Sequence, residues 1–595
     1  MHGVQNVFSG SSQQTMRSFL ATSEGSFDSF LTAAWHLSED DPDAADAALQ
    51  GVLSRKTVVS DALLRFRLVE RLQAENPEIA TMGLDYRAVR QQLADLSVRP
   101  LGDETPEARA ARLRELADQS NRLQVTLNRA LSAATGAPPP LRVDFNEVRS
   151  HLSDDAAAIE FIRFDPFDFK ATGDEPRLQP ARYLAFVLGA DTKESPRMID
   201  LGEAEPIERA VAELREHIEA VTRRMRFFNE EGLEEIYREL AGELSGLVFA
   251  PLRDALGDAR MIYLSPDGEL NRIAFEALTA ADGSYLIDHY KFAYTSSSRD
   301  LLRVSDEPAT GTIVFASPDY DLDGQPAVPS ENLLVTVNRS APDYWQGDLS
   351  RDMRGLSWDR LPATEDEAAR VVEMFARHDV YGPAHSFLGS DALEGLLKRM
   401  QAPRILHLAT HGFYLADQQR EHPEQSFLDR GLGASTTAAD LGRLGKLENP
   451  LLRSGIVLAG ANRLGEASSE TTETTDDGWV TAEEIGLLNL QGTELVVLSA
   501  CETGLGDVRT GEGVAGLRRA FLHAGAQTLV TSLYKVPDDA TQALMVDFYG
   551  RLAAGESKLA ALRGAQQATI AGRRTENGAA HPFFWASFVL VGDPE

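Results

Sequence analysis

The chain has 595 residues, which is too long for one hydrophobic core, so its length predicts roughly two to four domains. Hydrophobic residues make up 43% of the chain and charged residues 25%, which is ordinary for a soluble globular protein. The formal net charge of −33 would repel phosphate backbones, which argues against nucleic-acid binding as the main function and favours basic partner segments.

Residues 1–140 show the pattern of a helical domain. Leu123, Leu127 and Leu131 recur at helical spacing. Thr105 followed by Pro106 is a helix start signal, because a capping hydroxyl precedes a proline at the first helical position. Two interpretations stay open: a simple helical bundle, or the degenerate end of a helical repeat array, although no clean period of about 34 residues is present.

The pattern changes to an α/β unit over residues 141–310. Short apolar runs there stand on either side of one long helical stretch, predicted over 206–256, and alternation of this kind indicates strands and helices packed together. The predicted strands are 156–161, 183–188, 260–264 and 291–294.

A second α/β unit is predicted over residues 311–595. Residues 416–480 interrupt it, and because they are rich in Gly, Ser, Thr, Asp and Glu they predict a mobile loop. The predicted strands are 312–316, 404–409, 495–499, 528–532 and 586–591, and the predicted helices are 365–378, 391–400, 513–524, 538–554 and 558–570.

Two of these strands end in residues that carry chemistry. The segments 404–412 (RILHLATHG) and 494–504 (ELVVLSACETG) are apolar runs typical of buried parallel strands, and each ends in small and polar residues. His411 and Cys501 follow those runs, at the sheet edge where α/β proteins place their sites. A thiol beside an imidazole makes a nucleophile and its base. The alternative is an inert buried cysteine, which is common.

The residues around this pair refine the prediction. His407 lies within the strand and is expected to be a hydrogen-bonded core histidine, whereas His411 precedes Gly412, where the backbone can approach a substrate closely. The amides of Gly412 and Cys501 would form an oxyanion hole. A Gly-x-Gly-x-x-Gly match begins at Gly511, too far beyond its strand to bind a dinucleotide, and no zinc-type cluster is present, so neither cofactor nor metal is predicted.

The single cysteine excludes an internal disulfide framework and fits a reducing compartment. No apolar run reaches the length of a membrane span, and the N-terminus lacks a signal-peptide pattern. The sequence therefore predicts a cytoplasmic protein without a membrane partner.

Several short motifs together resemble the CHAT domain, a caspase-like domain found with tetratricopeptide repeats in bacteria and related to separase. The resemblance covers roughly residues 142–595 and implies a caspase-like (clan CD type) α/β fold, with a pseudo-protease unit before an active protease unit and a helical domain in front of both. The matching segments are 265–270, 285–287, 361–365, 407–412, 451–455, 498–504, 511–513, 531–538 and 581–588.

The resemblance also implies roles for individual residues. Cys501 matches the nucleophile and His411 the general base, without a third member. Asp538, with Asp539 beside it, matches the acid that selects arginine in separase, and Glu502 is placed with them in the substrate-binding set. The alternative for Asp538 is a helix cap. Tyr534 stands where the family has tryptophan, a departure that would change the shape of the pocket.

The function predicted is a cysteine endopeptidase that cleaves a protein partner after a basic residue. The family implies a partner encoded nearby, a regulator bound by the helical N-terminal domain, and a role in bacterial defence or cell-death signalling. The main alternative is a catalytically silent signalling scaffold with the same fold. A thiol hydrolase or transferase acting on non-peptide substrates is a third option, with no cofactor motif to favour it.

Overall fold

The computed structural model describes residues 15–16, 20, 22–38, 40–56, 76–98, 105–135, 143–172, 175–191, 194–303, 306–322, 358–414, 450–452, 454–463, 477–499, 507–509, 513–535 and 537–595. No helix within these ranges is long and apolar enough to cross a membrane.

The described N-terminal residues are helical, and their ends follow local capping rules. Asp41 accepts a hydrogen bond of 3.0 Å from the amide of Asp43 in front of a helix that begins at Pro42. Thr105 caps the helix that begins at Pro106, where its hydroxyl accepts a hydrogen bond of 3.2 Å from the amide of Ala108, as the sequence predicts. The helices are α1 (Glu24–Leu37), α2 (Pro42–Arg55), α3 (Pro77–Val98) and α4 (Pro106–Thr135).

One large sheet organises the rest of the described chain. Its 11 strands are β1 (Ala156–Phe164), β2 (Arg182–Gly189), β3 (Arg197–Glu203), β4 (Met261–Ser265), β5 (Lys291–Tyr294), β6 (Thr312–Pro318), β7 (Ala384–Gly389), β8 (Ile405–Ala409), β12 (Leu495–Leu498), β15 (Thr528–Ser532) and β16 (Phe588–Gly592). Their order in the sheet is β3-β2-β1-β4-β5-β16-β15-β12-β8-β6-β7.

Two small sheets lie beside it. One has three strands and the other is a two-stranded hairpin. Their members are β9 (Gly412–Tyr414), β10 (Ser454–Val457) and β11 (Trp479–Thr481), and β13 (Asp507–Arg509) with β14 (Gly513–Ala515).

The large sheet consists of two halves that run in opposite directions. Strands β1, β4, β5 and β16 are parallel, as are β6, β7, β8, β12 and β15. The halves meet where β15 pairs antiparallel with β16. The carboxyl ends of the second half therefore lie on the same side of the sheet as the amino ends of the first.

Both faces of the sheet are covered, since alternate residues of its strands belong to two different hydrophobic cores. In β8, Leu406 and Leu408 pack in one core and Ile405 and Ala409 in the other. The helices after α4 are α5 (Phe145–Arg149), α6 (Ala204–Arg224), α7 (Glu230–Val248), α8 (Arg253–Leu256), α9 (Ala363–Phe375), α10 (Glu394–Arg399), α11 (Ala482–Ile485), α12 (Leu517–Ala524), α13 (Asp538–Ala553) and α14 (Lys558–Asn577).

Three sequence predictions need correction. The helix predicted over 206–256 is broken by a turn at 225–229, which separates α6 from α7. The helix predicted over 513–524 starts only at Leu517, because Gly513–Ala515 pair with Asp507–Arg509. The loop predicted over 416–480 contains β10, a short apolar strand concealed by the polar composition of its surroundings, and the beginning of β11.

The domain boundaries at 140 and 310 stay predictions. The second boundary falls between β5 and β6, which are not neighbours in the sheet. The last strand, β16, pairs with β5 on one side and β15 on the other, so the C-terminal end of the chain joins the two halves.

Candidate active site

The site predicted from sequence lies at the carboxyl ends of β8 and β12. These strands are parallel neighbours, with Leu408 paired to Leu498, and the amide of Ser499 donates to the carbonyl of Leu408 at 3.0 Å. The chain is thereby placed beside β8 up to two residues before Cys501. Cys501 and Glu502 themselves lie outside the described residues.

Hydrogen bonds to β10 determine how the chain leaves β8. The Thr410 hydroxyl donates to the carbonyl of Val457, and the carbonyl of His411 accepts from the amide of Val457 at 3.0 Å. In a trans peptide the C=O and the following N–H point in opposite directions. The amide of Gly412 therefore points away from β10, as an oxyanion-hole donor would need to.

The imidazole of His411 is half-buried between two aromatic rings. Its centroid lies 5.3 Å from that of Trp358 and 5.5 Å from that of Tyr320. Its Nε2 lies 2.9 Å from the carbonyl oxygen of Asp359. A carbonyl can only accept, so Nε2 carries the proton, and in the neutral ring the lone pair is on Nδ1. This tautomer allows Nδ1 to take a proton from a nucleophile.

Asn462 holds the segment that supports the histidine. Its side chain accepts from the amide of Trp358 at 2.9 Å and donates to the carbonyl of the same residue at 3.0 Å. Trp358 also packs edge-on against Trp479, which begins β11, with ring centroids 5.8 Å apart. The sequence prediction missed Trp358, Asp359 and Asn462, because no motif links them to His411.

His407 is a core residue, as expected. Its ring is fully buried, Nδ1 lies 2.8 Å from the hydroxyl of Tyr549, and Nε2 lies 3.1 Å from a carboxylate oxygen of Glu367. These contacts join β8 to α13 and α9, so His407 braces the strand that carries the site.

The predicted substrate-binding acids occupy the start of α13. Asp538 and Asp539 are its first two residues, and Pro537 is the N-cap, so Asp538 lies inside the helix and not at the cap position. The side chains of both aspartates lie outside the described part of the structure. Tyr534, just before them, is buried, and its hydroxyl donates to the carbonyl of Pro582 at 2.9 Å. Tyr534, which stands where the resemblance has tryptophan, is thus a buried residue that is hydrogen-bonded to the C-terminal segment.

The segment after Cys501 reaches across to the first half of the sheet. The hairpin of β13 and β14 lies against the short 3-10 helix Gly268–Arg272, which follows β4. Beyond the hairpin, Arg518 of α12 is buried near Glu276 of the first half. Burial raises the pKa of Glu276 to about 7, and this carboxyl group accepts a hydrogen bond of 2.7 Å from Tyr294. The two halves are therefore in contact through the hairpin and α12.

Metal binding has no candidate in the described part of the chain, where no group of three or more His, Cys, Asp or Glu side chains could hold an ion.

A family model described as the CHAT domain matches residues 238–593, which is more than half of the chain. Tetratricopeptide repeat protein 28 of Mus musculus is 24% identical over 370 residues, and its Homo sapiens counterpart is 25% identical over 369. Each match covers 59% of this chain and 13% of the relative. The chain thus spans about an eighth of the length of the curated relatives it matches.

Two solved structures are similar to this chain. The Saccharomyces cerevisiae separase–securin complex at 3.0 Å aligns over 87% of this chain and 40% of that chain, with 8% identity and a TM-score of 0.41. The Arg-specific cysteine proteinase gingipain R aligns over 57% and 63%, with 8% identity and a TM-score of 0.30. The predicted fold class, a caspase-like α/β C-terminal half after a helical N-terminal region, is confirmed.

Proposed function

The chain belongs to the CHAT domain family, and on that premise we propose that it is a cysteine endopeptidase with Cys501 as nucleophile and His411 as general base. The observation that carries the proposal is the hydrogen bond from His411 Nε2 to the Asp359 carbonyl, at the carboxyl end of the strand next to β12. That bond selects the tautomer that a base needs.

The reaction follows from these roles. Nδ1 of His411 removes the proton from the Cys501 thiol, and the thiolate attacks the scissile carbonyl carbon. The amides of Gly412 and Cys501 stabilise the oxyanion, each donor contributing about 3 kcal/mol. The imidazolium then protonates the departing amine and leaves a thioester. Water, deprotonated by His411, hydrolyses the thioester, releasing the new carboxylate and restoring the thiol.

The substrate we propose is a protein partner cleaved after a basic residue. Support comes from the acidic set Asp538, Asp539 and Glu502, since a carboxylate in a protein pocket pairs well with a guanidinium. The family resemblance adds a partner encoded nearby, a regulator bound by the helical N-terminal region, and a setting in defence or cell-death signalling. The cytoplasm is the proposed location, where a single thiol stays reduced.

The test is a comparison of new protein N-termini in cells that express the chain and in cells that express Cys501→Ala. We expect termini that appear only with Cys501, with a basic residue before each cut. Loss of the basic preference in Asp538→Ala would support the role of that acid. Identical maps, together with slow labelling of Cys501 by iodoacetamide at neutral pH, would favour the silent scaffold, because a catalytic thiol of lowered pKa reacts quickly.

A further inference from the structure

The turn between α6 and α7 presents apolar side chains to solvent. Phe227 is 84% exposed, more than any other large hydrophobic side chain among the described residues; Leu84 follows at 63%. Phe228 and Met225 beside it are also exposed. Single exposed hydrophobic residues are ordinary on a protein surface, but three within four positions form a patch of the kind that marks an interaction site.

The exposure belongs to an ordered turn. The amides of Phe227 and Phe228 both donate to the carbonyl of Arg224 at 2.9 Å. Asn229 then caps α7 by accepting from the amide of Gly232 at 3.1 Å. Both ends of the turn are thus held by hydrogen bonds, so the backbone that carries the phenylalanines is fixed, and a ligand need not order it.

The turn is also basic, in a chain with a net charge of −33. Arg223, Arg224 and Arg226 directly precede the phenylalanines. Of the two acids directly after the turn, Glu230 is held by Arg573 in a bidentate pair of 2.8 and 2.6 Å, and Glu231 is exposed, so the three arginines outnumber the one unburied acid. Aromatic residues, Met and Arg are the types enriched in protein interfaces, and the local charge is complementary to an acidic ligand.

The helix that leads into the turn contacts the edge of the sheet at which His411 lies. From α6, Nε2 of His217 lies 3.1 Å from Nε2 of His581, and the next residue, Pro582, accepts the hydrogen bond from Tyr534. Tyr534 is two residues beyond the carboxyl end of β15. From His217 to Arg224 the helix advances on the order of 10 Å, so the patch lies outside the candidate site.

We propose that residues 223–228 form a docking surface for an acidic segment, bearing apolar side chains, of the protein that the Cys501–His411 site cleaves. This rests on the proposed function. The phenylalanines bury against the apolar side chains of the segment, and the arginines pair with its carboxylates. Docking there raises the effective concentration of the scissile bond at the site. We do not propose an anionic membrane as the ligand, because the negative surface of the rest of the protein would be repelled by it.

The test measures binding without catalysis. The Cys501→Ala protein is titrated into a fluorescein-labelled peptide of alternating Glu and Leu, and fluorescence anisotropy is followed. Binding should weaken at least about tenfold in Phe227→Ser/Phe228→Ser, and comparably in Arg223→Glu/Arg226→Glu, as expected for hot-spot residues. The matched control is Phe169→Ser, at a phenylalanine 57% exposed in the segment after β1, and it should leave affinity unchanged.

Two controls complete the design. A peptide with Lys in place of every Glu should not bind, and phosphatidylserine vesicles should not sediment the protein. Equal binding by the double-serine variant, or no binding of the acidic peptide, would overturn the proposal. Vesicle binding that depends on Phe227, without peptide binding, would assign the turn to a lipid surface. Since all proteins carry Cys501→Ala, none of these results depends on whether the chain is a protease.

Discussion

The two halves of the large sheet treat their carboxyl edges in opposite ways. In the second half that edge holds the half-exposed imidazole of His411, which packs against the rings of Trp358 and Tyr320. In the first half it is filled by a buried ion pair, in which Nζ of Lys56 lies 2.9 Å from Glu160 and the two side chains are 0% and 1% exposed.

This ion pair has a nearly complete set of hydrogen bonds. Lys56 donates to the carbonyls of Phe161 and Pro266, each at 3.0 Å, and to the Ser265 hydroxyl at 2.8 Å. Glu160 accepts from the amide and hydroxyl of Ser298 at 2.7 and 2.6 Å. A buried pair satisfied in this way is a structural element and not a reactive one.

The source of Lys56 explains the difference between the edges. It is the C-cap residue of α2, in the helical N-terminal region, and it enters the first half at the place where a parallel sheet would otherwise offer a binding crevice. The N-terminal helices also contact the second half, but elsewhere: Arg90 of α3 pairs with Glu483 of α11, both buried. The carboxyl edge of the first half is therefore closed by a neighbouring region, whereas the described part of the other carboxyl edge presents the half-exposed imidazole of His411.

The largest expected effect comes from removing the proposed base, His411, at the carboxyl edge of the second half. His411→Ala should reduce proteolysis on the order of 10⁴-fold while leaving the fold intact, because the imidazole is half-buried and not part of a core. The measurement is cleavage of an arginine reporter peptide beside a thermal unfolding curve. His385→Ala, at an exposed histidine of β7, is the control and should be fully active. Full activity of His411→Ala would contradict the assignment.

At the closed edge of the first half, breaking the pair of Lys56 and Glu160 should lower the stability of the protein. Lys56→Met leaves the Glu160 carboxylate buried without its cation, and we expect the free energy of unfolding to fall by about 3–5 kcal/mol, measured by urea denaturation. Adding Glu160→Gln should restore part of the loss. Arg209→Met, which breaks the exposed pair with Glu205 at 2.9 Å, should change stability by at most about 1 kcal/mol. A Lys56→Met protein as stable as that control would show that the closed edge is not held by the pair.

The same contrast shows what the sequence could and could not predict. Buried parallel strands leave continuous apolar runs, so 528–532 is predicted with the bounds observed for β15. The edge strand β3, with only one buried residue, leaves no such run, and the sequence prediction missed it. His411 is signalled by its place after an apolar run. Its support is a backbone carbonyl 52 residues away, and Lys56 reaches Glu160 from another region, contacts that only the folded chain defines.

A smaller effect is expected from the residue that holds the support of His411. Asn462→Ala removes both hydrogen bonds to Trp358, so the Asp359 carbonyl should shift and the tautomer of His411 become less fixed. A misplacement on this scale lowers kcat by about 10²-fold, with KM little changed. The pH–rate profile should also shift, which loss of stability alone would not cause. A proportional fall of kcat and folded fraction, with an unchanged profile, would mean that Asn462 is only structural.

The smallest effect is expected where the two halves meet. Burial raises the pKa of Glu276 from 4.5 to about 7, so the folded chain binds this proton more tightly than the unfolded chain. Its contribution to stability is complete below the unfolded pKa and is lost as the pH rises through 7, opposite to a paired surface carboxylate. The nearby Arg518 favours the ionised form and reduces the effect. Glu276→Gln should therefore flatten the fall in unfolding free energy between about pH 5 and pH 8 by about 2 kcal/mol. Urea titrations at each pH measure it, and identical pH profiles for the two proteins would mean that Glu276 is ionised in the folded chain.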